Sequence, residues 1–289
     1  MIPYNRKLEI FEKVFYKPNI NNPKLFSEKV ITRVLKDEDP RYSLYGKKLY
    51  VPYFLANRIP KGLKFPRRLK IKYKINPSDF KDMPEKFYLK SSFGSKWNKL
   101  VNLNYDNISE ICNTFNNALH TIVDAQGYKA GHLENCLIFE EYIPSAVKFE
   151  FHCFGDTIFC HYSEGLTAET WSSNFFNENH EKLDAGIISF SYKITNEVIS
   201  NIIKYKHRPI TYNPKKPKKW IQLLNVAKKL AYGFDYVRID LFLSNDDIYF
   251  NEITPYHWGG LFSISSLEWD KKLGDLWPFS LPTYQGEYL

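Results

Sequence analysis

Apolar and polar residues follow two different periods along this chain. Apolar residues at helical spacing predict helices over residues 25–35, 108–123 and 220–232. Period-two alternation or short apolar runs predict strands over residues 69–75, 87–90, 99–103 and 136–139, and hairpins over 148–162 and 237–254. Residues 163–220 show neither period clearly, and residues 44–57 fit either a helix or a mixture of helix and strand.

The last hairpin carries the most specific candidate chemistry. Its first strand places Arg238 and Asp240 on the face opposite its apolar residues, and its second strand carries Glu252. These three side chains share one face only if position 240 pairs with position 250 or 252, because a slip of one residue moves a side chain to the other face. The pattern therefore predicts an even register for this hairpin.

Taken alone, the hairpin supports two interpretations of these residues equally. Carboxylate oxygens are the ligands that Mg²⁺ prefers, with phosphate oxygens and waters completing the octahedron, and an arginine suits a transferred phosphoryl group. Alternatively, Arg238, Asp240 and Glu252 form a salt bridge at the surface.

A loop of small residues follows the predicted strand that ends at Lys90. Its sequence, SSFGSK over residues 91–96, lacks the GxxxxGK[ST] pattern of a Walker A loop. Its backbone N–H groups are nevertheless suited to covering phosphates, and an ordinary connecting loop is the equally weighted alternative.

Composition and charge change this picture little. The 289 residues are 44% hydrophobic and 25% charged, enough for two or three subdomains with sizeable cores. The net charge of +8 suits an anionic ligand, and a solvated basic surface explains it as well. The basic run at residues 214–219 is interpreted as a solvated lead-in to a helix, with a nucleic-acid patch as the less favoured alternative.

Cysteine spacing and hydropathy indicate the compartment. No two of the four cysteines form a CxxC pair and none has a histidine at zinc-ligand spacing, so we expect buried, reduced thiols. The N-terminus lacks the apolar core of a secretory signal, and no apolar run approaches the roughly 20 residues that span a bilayer. We expect a soluble, cytoplasmic protein without a transmembrane segment, with peripheral membrane association through basic residues as an alternative.

The order of these features resembles the ATP-grasp superfamily, and more narrowly the TupA-like ATP-grasp family of bacterial teichuronic-acid and capsular-polysaccharide gene clusters. The resemblance covers residues 23–277, and each motif alone is loose. It rests on the ordered segments PKLFSEKV, DEDPRYSLYGKKLYV, MPEKFYLKSSFGSKWN, EEYI and RIDLF followed by IYFNEIT. It implies an α+β fold in which two subdomains clamp ATP, with an N-terminal subdomain at residues 1–85, a lid at 86–143 and a catalytic subdomain at 144–289.

The resemblance also implies a role for each matching residue. Asp240 and Glu252 would bind magnesium, and Arg238 and Lys90 would be the catalytic residues, with Lys90 reaching the nucleotide phosphates. The expected nucleotide-binding residues are Lys90, Ser92, Gly94, Ser95, Glu140, Glu141, Tyr142, Ile143, Lys148 and Glu150. The residues expected at the substrate end are His257, Gly259 and Gly260.

Two departures from the family pattern concern the nucleotide site. Thr254 stands where ATP-grasp enzymes commonly carry asparagine, which puts a third metal ligand in doubt. The sequence SSFGSKW replaces a loop richer in glycine.

The implied activity is that of a Mg²⁺- and ATP-dependent carboxylate–amine ligase that acts through an acyl phosphate. Its substrates would be small molecules or glycans, such as a sugar acid, an amino acid or an amino sugar, and not nucleic acid. The alternatives are an ATP-grasp phosphotransferase acting on a sugar or alcohol, and a degenerate binding module without catalytic activity. The sequence does not indicate an oligomeric state.

Overall fold

Two sheets, one antiparallel and one antiparallel except for its edge strand, make up most of the chain together with the helices packed on them. The computed structural model describes residues 6–37, 39, 44–92, 97–119, 135–165, 167–195 and 198–281. The α-helices are α1 (Lys7–Val14), α2 (Phe26–Lys36), α3 (Val51–Phe54), α4 (Ile108–Leu119), α5 (Trp220–Ala231) and α6 (Leu267–Asp275). Short 3₁₀ helices span Ala56–Arg58, Pro77–Phe80 and His257–Gly260.

Twelve strands are described. They are β1 (Leu63–Lys64), β2 (Arg68–Lys72), β3 (Lys86–Ser91), β4 (Asn98–Asn102), β5 (Leu137–Glu141), β6 (Val147–Phe154), β7 (Thr157–Glu164), β8 (Ser172–Phe176), β9 (Phe190–Thr195), β10 (Val198–Lys204), β11 (Val237–Ser244) and β12 (Asp247–Thr254). The large sheet has the order β1-β12-β11-β6-β7-β8, and the small sheet has the order β2-β5-β3-β4. Strands β9 and β10 form a separate antiparallel pair.

Both faces of the large sheet are covered at its centre. The alternating apolar residues of β6 and β11, including Phe149 and Ile239, pack under α5 around Trp220. On the opposite face, Phe26 of α2 packs with Tyr236 and aromatic residues near α6. Strand β6 is consequently buried on both sides along most of its length, so the polar residues on its second face lie inside the protein.

The small sheet has its own core and shares strands with the N-terminal segment. Helix α4 packs its apolar stripe on β3 and β5. Within residues 1–85, β1 pairs with β12 of the large sheet, whereas β2 pairs with β5 of the small sheet. The division at residues 85 and 143 stays a prediction, and strand pairing distributes the N-terminal segment between both sheets.

Helix α2 is joined to the large sheet by a buried cation. The Arg33 side chain is fully buried and forms an ion pair with Asp235 just before β11. It donates to the carbonyl oxygen of Tyr236 over 2.9 Å, and its guanidinium lies 4.3 Å from the ring centre of Trp277. A buried charge is tolerated only when it is paired in this way, so Arg33 fixes where α2 sits.

The predicted elements agree with these bounds to within a few residues. Residues 120–123 of the helix predicted over residues 108–123 lie outside the described part of the chain. The segment that showed no clear period, residues 163–220, contains β8, β9 and β10. All four cysteines are free and buried, which confirms the prediction for them. Among the described residues, no helix is long and apolar enough to span a bilayer.

Gly260 is required by its close approach to α2. Its φ is +80°, and a Cβ there would lie 2.9 Å from Ile31 Cδ1 and 3.0 Å from Ile31 Cα. Gly62 has a similar φ of +87°, but nothing lies within 4 Å of a Cβ placed on it. Adding a side chain at either glycine has the free-energy cost of a left-handed backbone, but only at Gly260 does it also have the cost of overpacking.

We expect Gly260→Ala to lower the free energy of unfolding by about 1–3 kcal/mol more than Gly62→Ala does, because only the first adds a clash with α2. Urea unfolding of both variants measures the difference. Equal losses in the two variants would show that α2 does not constrain residue 260.

Candidate functional site

Four polar side chains form a row across four neighbouring strands of the large sheet. Asp240 of β11 pairs with Glu252 of β12 on one side and with Glu150 of β6 on the other. Glu150 in turn pairs with His161 of β7. The hairpin thus has the predicted even register, with a bulge after position 240 that leaves Leu241 opposite Phe250.

Arg238 lies beside this row and is held in one orientation. Its Nε donates to Asp240 Oδ1 over 2.7 Å, and its Nη2 donates to Asp240 Oδ2 over 2.9 Å. Its Nη1 donates to His257 Nδ1 over 3.0 Å, and its Nη2 lies 3.7 Å from Glu252 Oε2. A bidentate arginine–carboxylate pair fixes geometry more firmly than a point charge does.

The predicted salt bridge between Arg238 and Asp240 therefore forms, but its predicted place at the surface is wrong. Asp240 is 1% exposed and Arg238 is 6% exposed, whereas the Glu252 side chain is 31% exposed. Helix α2 and the turn at residues 257–260 cover this part of the sheet, which the strand pattern alone did not reveal. Burying an ion pair has a desolvation cost that must be offset elsewhere.

Burial and neighbouring charges shift the ionisation of this row in opposite directions. Burial raises the pKa of Asp240 to about 7, although Arg238 opposes the rise. Burial also disfavours ionised Glu150, but the Arg238 charge and a hydrogen bond from His161 outweigh it and hold the Glu150 pKa well below its usual value. In this row, Glu150 is therefore the carboxylate whose surroundings most favour the ionised form.

A cavity of about 440 Å³ opens between the two sheets. The small sheet contributes Lys90 of β3 and Glu140 of β5, which form an ion pair, and the large sheet contributes Glu252. Its described lining is Tyr45, Gly46, Lys48, Val51, Pro52, Phe65, Pro66, Arg67, Arg68, Lys90, Asn98, Glu140, Phe250, Asn251, Glu252 and Ile253. The mixture of cations, apolar rings and two carboxylates, one of them paired with Lys90, suits a nucleotide with its phosphates.

Three cations in this lining were missed by sequence reasoning. Lys48, Arg67 and Arg68 come from the N-terminal segment, and the Arg68 guanidinium donates to the Lys48 carbonyl oxygen over 3.1 Å. The basic pairs at 47–48 and 67–68 were the available signal, but their approach to Lys90 depends on the pairing of β2 with β5.

Other predicted nucleotide-binding residues lie near the cavity without appearing in its lining. The Ser92 hydroxyl accepts from the Cys136 backbone N–H over 3.0 Å, and Glu141 accepts from the Arg67 backbone N–H over 2.7 Å. Tyr142 and Ile143 are half-buried after β5. Lys148 forms an ion pair with Glu150, and Gly94 and Ser95 lie outside the described residues. The nucleotide roles of these residues stay predictions.

The predicted substrate-end residues lie beside Arg238 rather than in the cavity. His257 is fully buried against Arg238. The Gly259 carbonyl oxygen accepts from the Lys7 ammonium over 3.1 Å, and Gly260 packs on α2. The close packing on α2 accounts for Gly260, and a role of these residues toward substrate stays a prediction.

The donor set near Arg238 fits a magnesium ion held jointly with a ligand. Directly opposed residues in an antiparallel pair have Cβ atoms about 4.5–5.5 Å apart, which lets Asp240 and Glu252 share one ion. In the described part of the chain, no three His, Cys, Asp or Glu side chains are arranged to hold a metal. The neutral Thr254 hydroxyl accepts from Arg238 over 3.4 Å, so phosphate oxygens and waters would complete the coordination.

Comparison with models of known protein families identifies one family. The family model described as TupA-like ATPgrasp matches residues 28–277. No curated protein matches the chain.

Several solved structures are similar over part of their length. D-Alanine-D-alanine ligase from Helicobacter pylori is 16% identical, with 81% of this chain and 62% of that chain covered and a TM-score of 0.42. L-Amino acid ligase from Bacillus licheniformis is 10% identical, with 73% and 42% covered and a TM-score of 0.40. Phosphoribosylamine–glycine ligase from Thermotoga maritima is 11% identical, with 79% and 52% covered and a TM-score of 0.39. The chain spans less than two thirds of each of these proteins.

We expect Lys90→Met to weaken ATP binding by about 10- to 100-fold, because it removes a charged donor from the cavity and keeps most of the side-chain stem. Calorimetric titration with ATP measures the dissociation constant. Lys99→Met is the matched control: this lysine is on the adjacent strand β4 and pairs with Asp106 at 2.8 Å. Equal affinity for ATP in the two variants would show that Lys90 does not contribute to the nucleotide site.

Proposed function

Because the chain belongs to the TupA-like ATP-grasp family, we propose that it is a Mg²⁺- and ATP-dependent ligase that joins a carboxylate to an amine. The chain has the α+β ATP-grasp fold that the sequence predicted. The observation that carries the proposal is the pairing of Asp240 with Glu252, beside an oriented Arg238, at the edge of a cation-lined cavity.

The proposed reaction has two steps that share one site. A substrate carboxylate oxygen attacks the γ-phosphorus of ATP, and the bond from that phosphorus to the β,γ-bridging oxygen breaks. ADP departs, and the substrate becomes an acyl phosphate. An amine nitrogen then attacks the acyl carbon, loses a proton, and releases phosphate. The magnesium ion, held by Asp240 and Glu252, supplies charge neutralisation on the phosphates when it is bound.

The chain's own residues would bind and orient the reactants. Lys90 and Arg68 line the cavity where the triphosphate would lie. Arg238 commits four of its five N–H groups to Asp240, His257 and Thr254, which leaves one for an oxygen of the transferred phosphoryl group or the acyl phosphate. A donor fixed before the reaction needs no reorganisation when charge develops.

We also propose a cellular role for this ligase. It would act in the cytoplasm on a sugar acid, an amino acid or an amino sugar during bacterial capsular or cell-surface polysaccharide assembly. The net charge of +8 supports an acidic substrate, and the family's association with such gene clusters supports the setting.

We expect Asp240→Asn and Glu252→Gln each to lower magnesium-dependent ATP turnover by about 100-fold or more, because each removes an anionic oxygen from the metal site. Asp247→Asn, at the tip of the same hairpin and paired with Lys64, should leave turnover unchanged. The measurement is ADP release at saturating ATP across a magnesium titration. Full activity in both site variants would show that the metal assignment is wrong.

Product analysis tests the reaction class. We expect ADP release to require both a carboxylate and an amine, with mass spectrometry showing the two joined and phosphate free. A phosphorylated acceptor with no second substrate would instead identify a phosphotransferase. Tight Mg-ATP binding with no product from any pair of sugar acids, amino acids and amino sugars would favour a non-catalytic module.

A further inference from the structure

One stretch of the surface carries most of the net charge of the chain. Residues 206–219, which we call the basic segment, contain five lysines and Arg208 and no aspartate or glutamate. Because the net charge of the whole chain is +8, positive and negative residues elsewhere nearly balance. Arg208 and four of the lysines are exposed and the fifth lysine is half-buried; the lysines are Lys206, Lys215, Lys216, Lys218 and, half-buried, Lys219.

The backbone of the basic segment is fixed along β8, the last strand of the large sheet. The Arg208 carbonyl oxygen accepts from the Ser173 backbone N–H over 3.1 Å. The Ile210 backbone N–H donates to Asn174 Oδ1 over 2.9 Å, and the Ile210 carbonyl oxygen accepts from the Lys182 ammonium over 3.0 Å. The segment therefore lies along the outer edge of β8, which keeps its cations together on one part of the surface.

Covering an edge strand accounts for the path of the basic segment but not for its charge. Loops commonly cover exposed strand edges, and here the contacts with β8 come from backbone groups and from the buried Ile210 side chain. Within the described ranges of the chain, none of the six cations forms an ion pair with a carboxylate. Exposed lysines elsewhere do form such pairs, as Lys64 does with Asp247 and Lys272 with Glu268.

Carboxylates near the basic segment bind neutral donors instead of its cations. Glu164 accepts from the Thr211 backbone N–H over 2.9 Å and from the Thr211 hydroxyl over 3.2 Å. The Arg208 guanidinium donates to the carbonyl oxygen of Glu169. The charge of the segment thus stays available to an anionic partner.

The basic segment lies at the opposite edge of the large sheet from the cavity assigned to the nucleotide. Strand β12 borders that cavity, and β11, β6 and β7 separate β12 from β8. Since neighbouring strands are about 4.8 Å apart, β12 and β8 are roughly 20 Å apart. The proposed reaction with ATP therefore does not explain these cations, and a partner bound to them leaves the cavity accessible.

The composition of the basic segment suits a diffuse layer of negative charge. Five of its six cations are lysines, which act as point charges, whereas geometric recognition of phosphates and nucleic acids favours arginine. Pro209, Pro214 and Pro217 keep the segment out of a helix, so the lysines follow an irregular chain on the surface. Tyr212 is 50% exposed among them, and tyrosine is typical of the interface between a membrane and water.

We propose that the basic segment is a peripheral binding surface for a membrane that contains anionic lipids. Clusters of about four to eight lysines and arginines are attracted to such membranes without recognising a single headgroup. The six cations act together on the lipid phosphates, and Tyr212 lies among the headgroups. Binding of this kind is reversible and is weakened by salt. It is independent of the proposed ligase reaction, and it holds the chain at a lipid surface by the edge of the sheet that is remote from the cavity.

Two triple variants separate this surface from the overall charge of the chain. The first neutralises three exposed lysines of the basic segment together, Lys206→Gln, Lys215→Gln and Lys218→Gln. The matched control neutralises three exposed lysines of the N-terminal segment together, Lys61→Gln, Lys74→Gln and Lys81→Gln. Both variants lose the same charge, and neither changes a buried side chain.

Co-sedimentation of the full chain with vesicles measures the affinity, using phosphatidylcholine with and without phosphatidylglycerol. We expect wild type to bind only the vesicles that contain phosphatidylglycerol, and high salt to release it. Each lysine near an anionic surface contributes about fivefold in affinity, so the basic-segment variant should bind about 30- to 100-fold more weakly. The control variant should lose less than about fivefold, because charges beyond the Debye length are screened.

Two results would overturn the proposal. One is that wild type does not sediment with vesicles containing phosphatidylglycerol; retention by a DNA duplex or by alginate would then identify a soluble polyanion as the partner. The other is that the two triple variants lose the same affinity, which would mean that net charge alone attracts the chain to the vesicles. The salt dependence of wild-type binding needs no variant, so the proposal stays testable if either variant fails to fold.

Discussion

The buried pair of Arg238 and Asp240 is the interaction on which the site depends. An ion pair removed from water needs additional hydrogen bonds to offset its desolvation cost, and here His257 and Thr254 provide them. Asp240 therefore has two tasks, since it orients Arg238 and faces Glu252 across the hairpin. A cation bound between the carboxylates would favour ionised Asp240 against the burial that raises its pKa.

The cover over this pair comes from parts of the chain that are distant in sequence. Helix α2 packs on the turn at residues 257–260, and Gly260 permits an approach that no side chain would. Arg33 and Asp235 tie the same helix to the start of β11. The N-terminal segment thus supplies the low-dielectric surroundings in which Arg238 acts, and it also supplies Lys48 and Arg68 to the cavity.

Local patterns were sufficient to predict the hairpin and its register, but not its surroundings. Period-two alternation located β11 and β12 and required the register that pairs Asp240 with Glu252. Burial was not predictable in this way, because strand alternation describes two faces and cannot say that both are covered. The same limit applies to Lys48 and Arg68, whose approach to Lys90 depends on long-range strand pairing, and to β8–β10, whose sequences are too irregular to show a period.

The row of His161, Glu150, Asp240 and Glu252 connects the cavity to the interior of the protein. Glu252 borders the cavity between the sheets, whereas His161 is buried at the other end of the row. Glu150 lies between them, because it contacts His161 Nδ1 and pairs with Asp240 on the neighbouring strand. Arg238 donates to Asp240 and also to His257 Nδ1. The charges that suit a metal and a phosphoryl group therefore also hold the buried rings beside them, so the packing of this face depends on the same residues as the proposed chemistry.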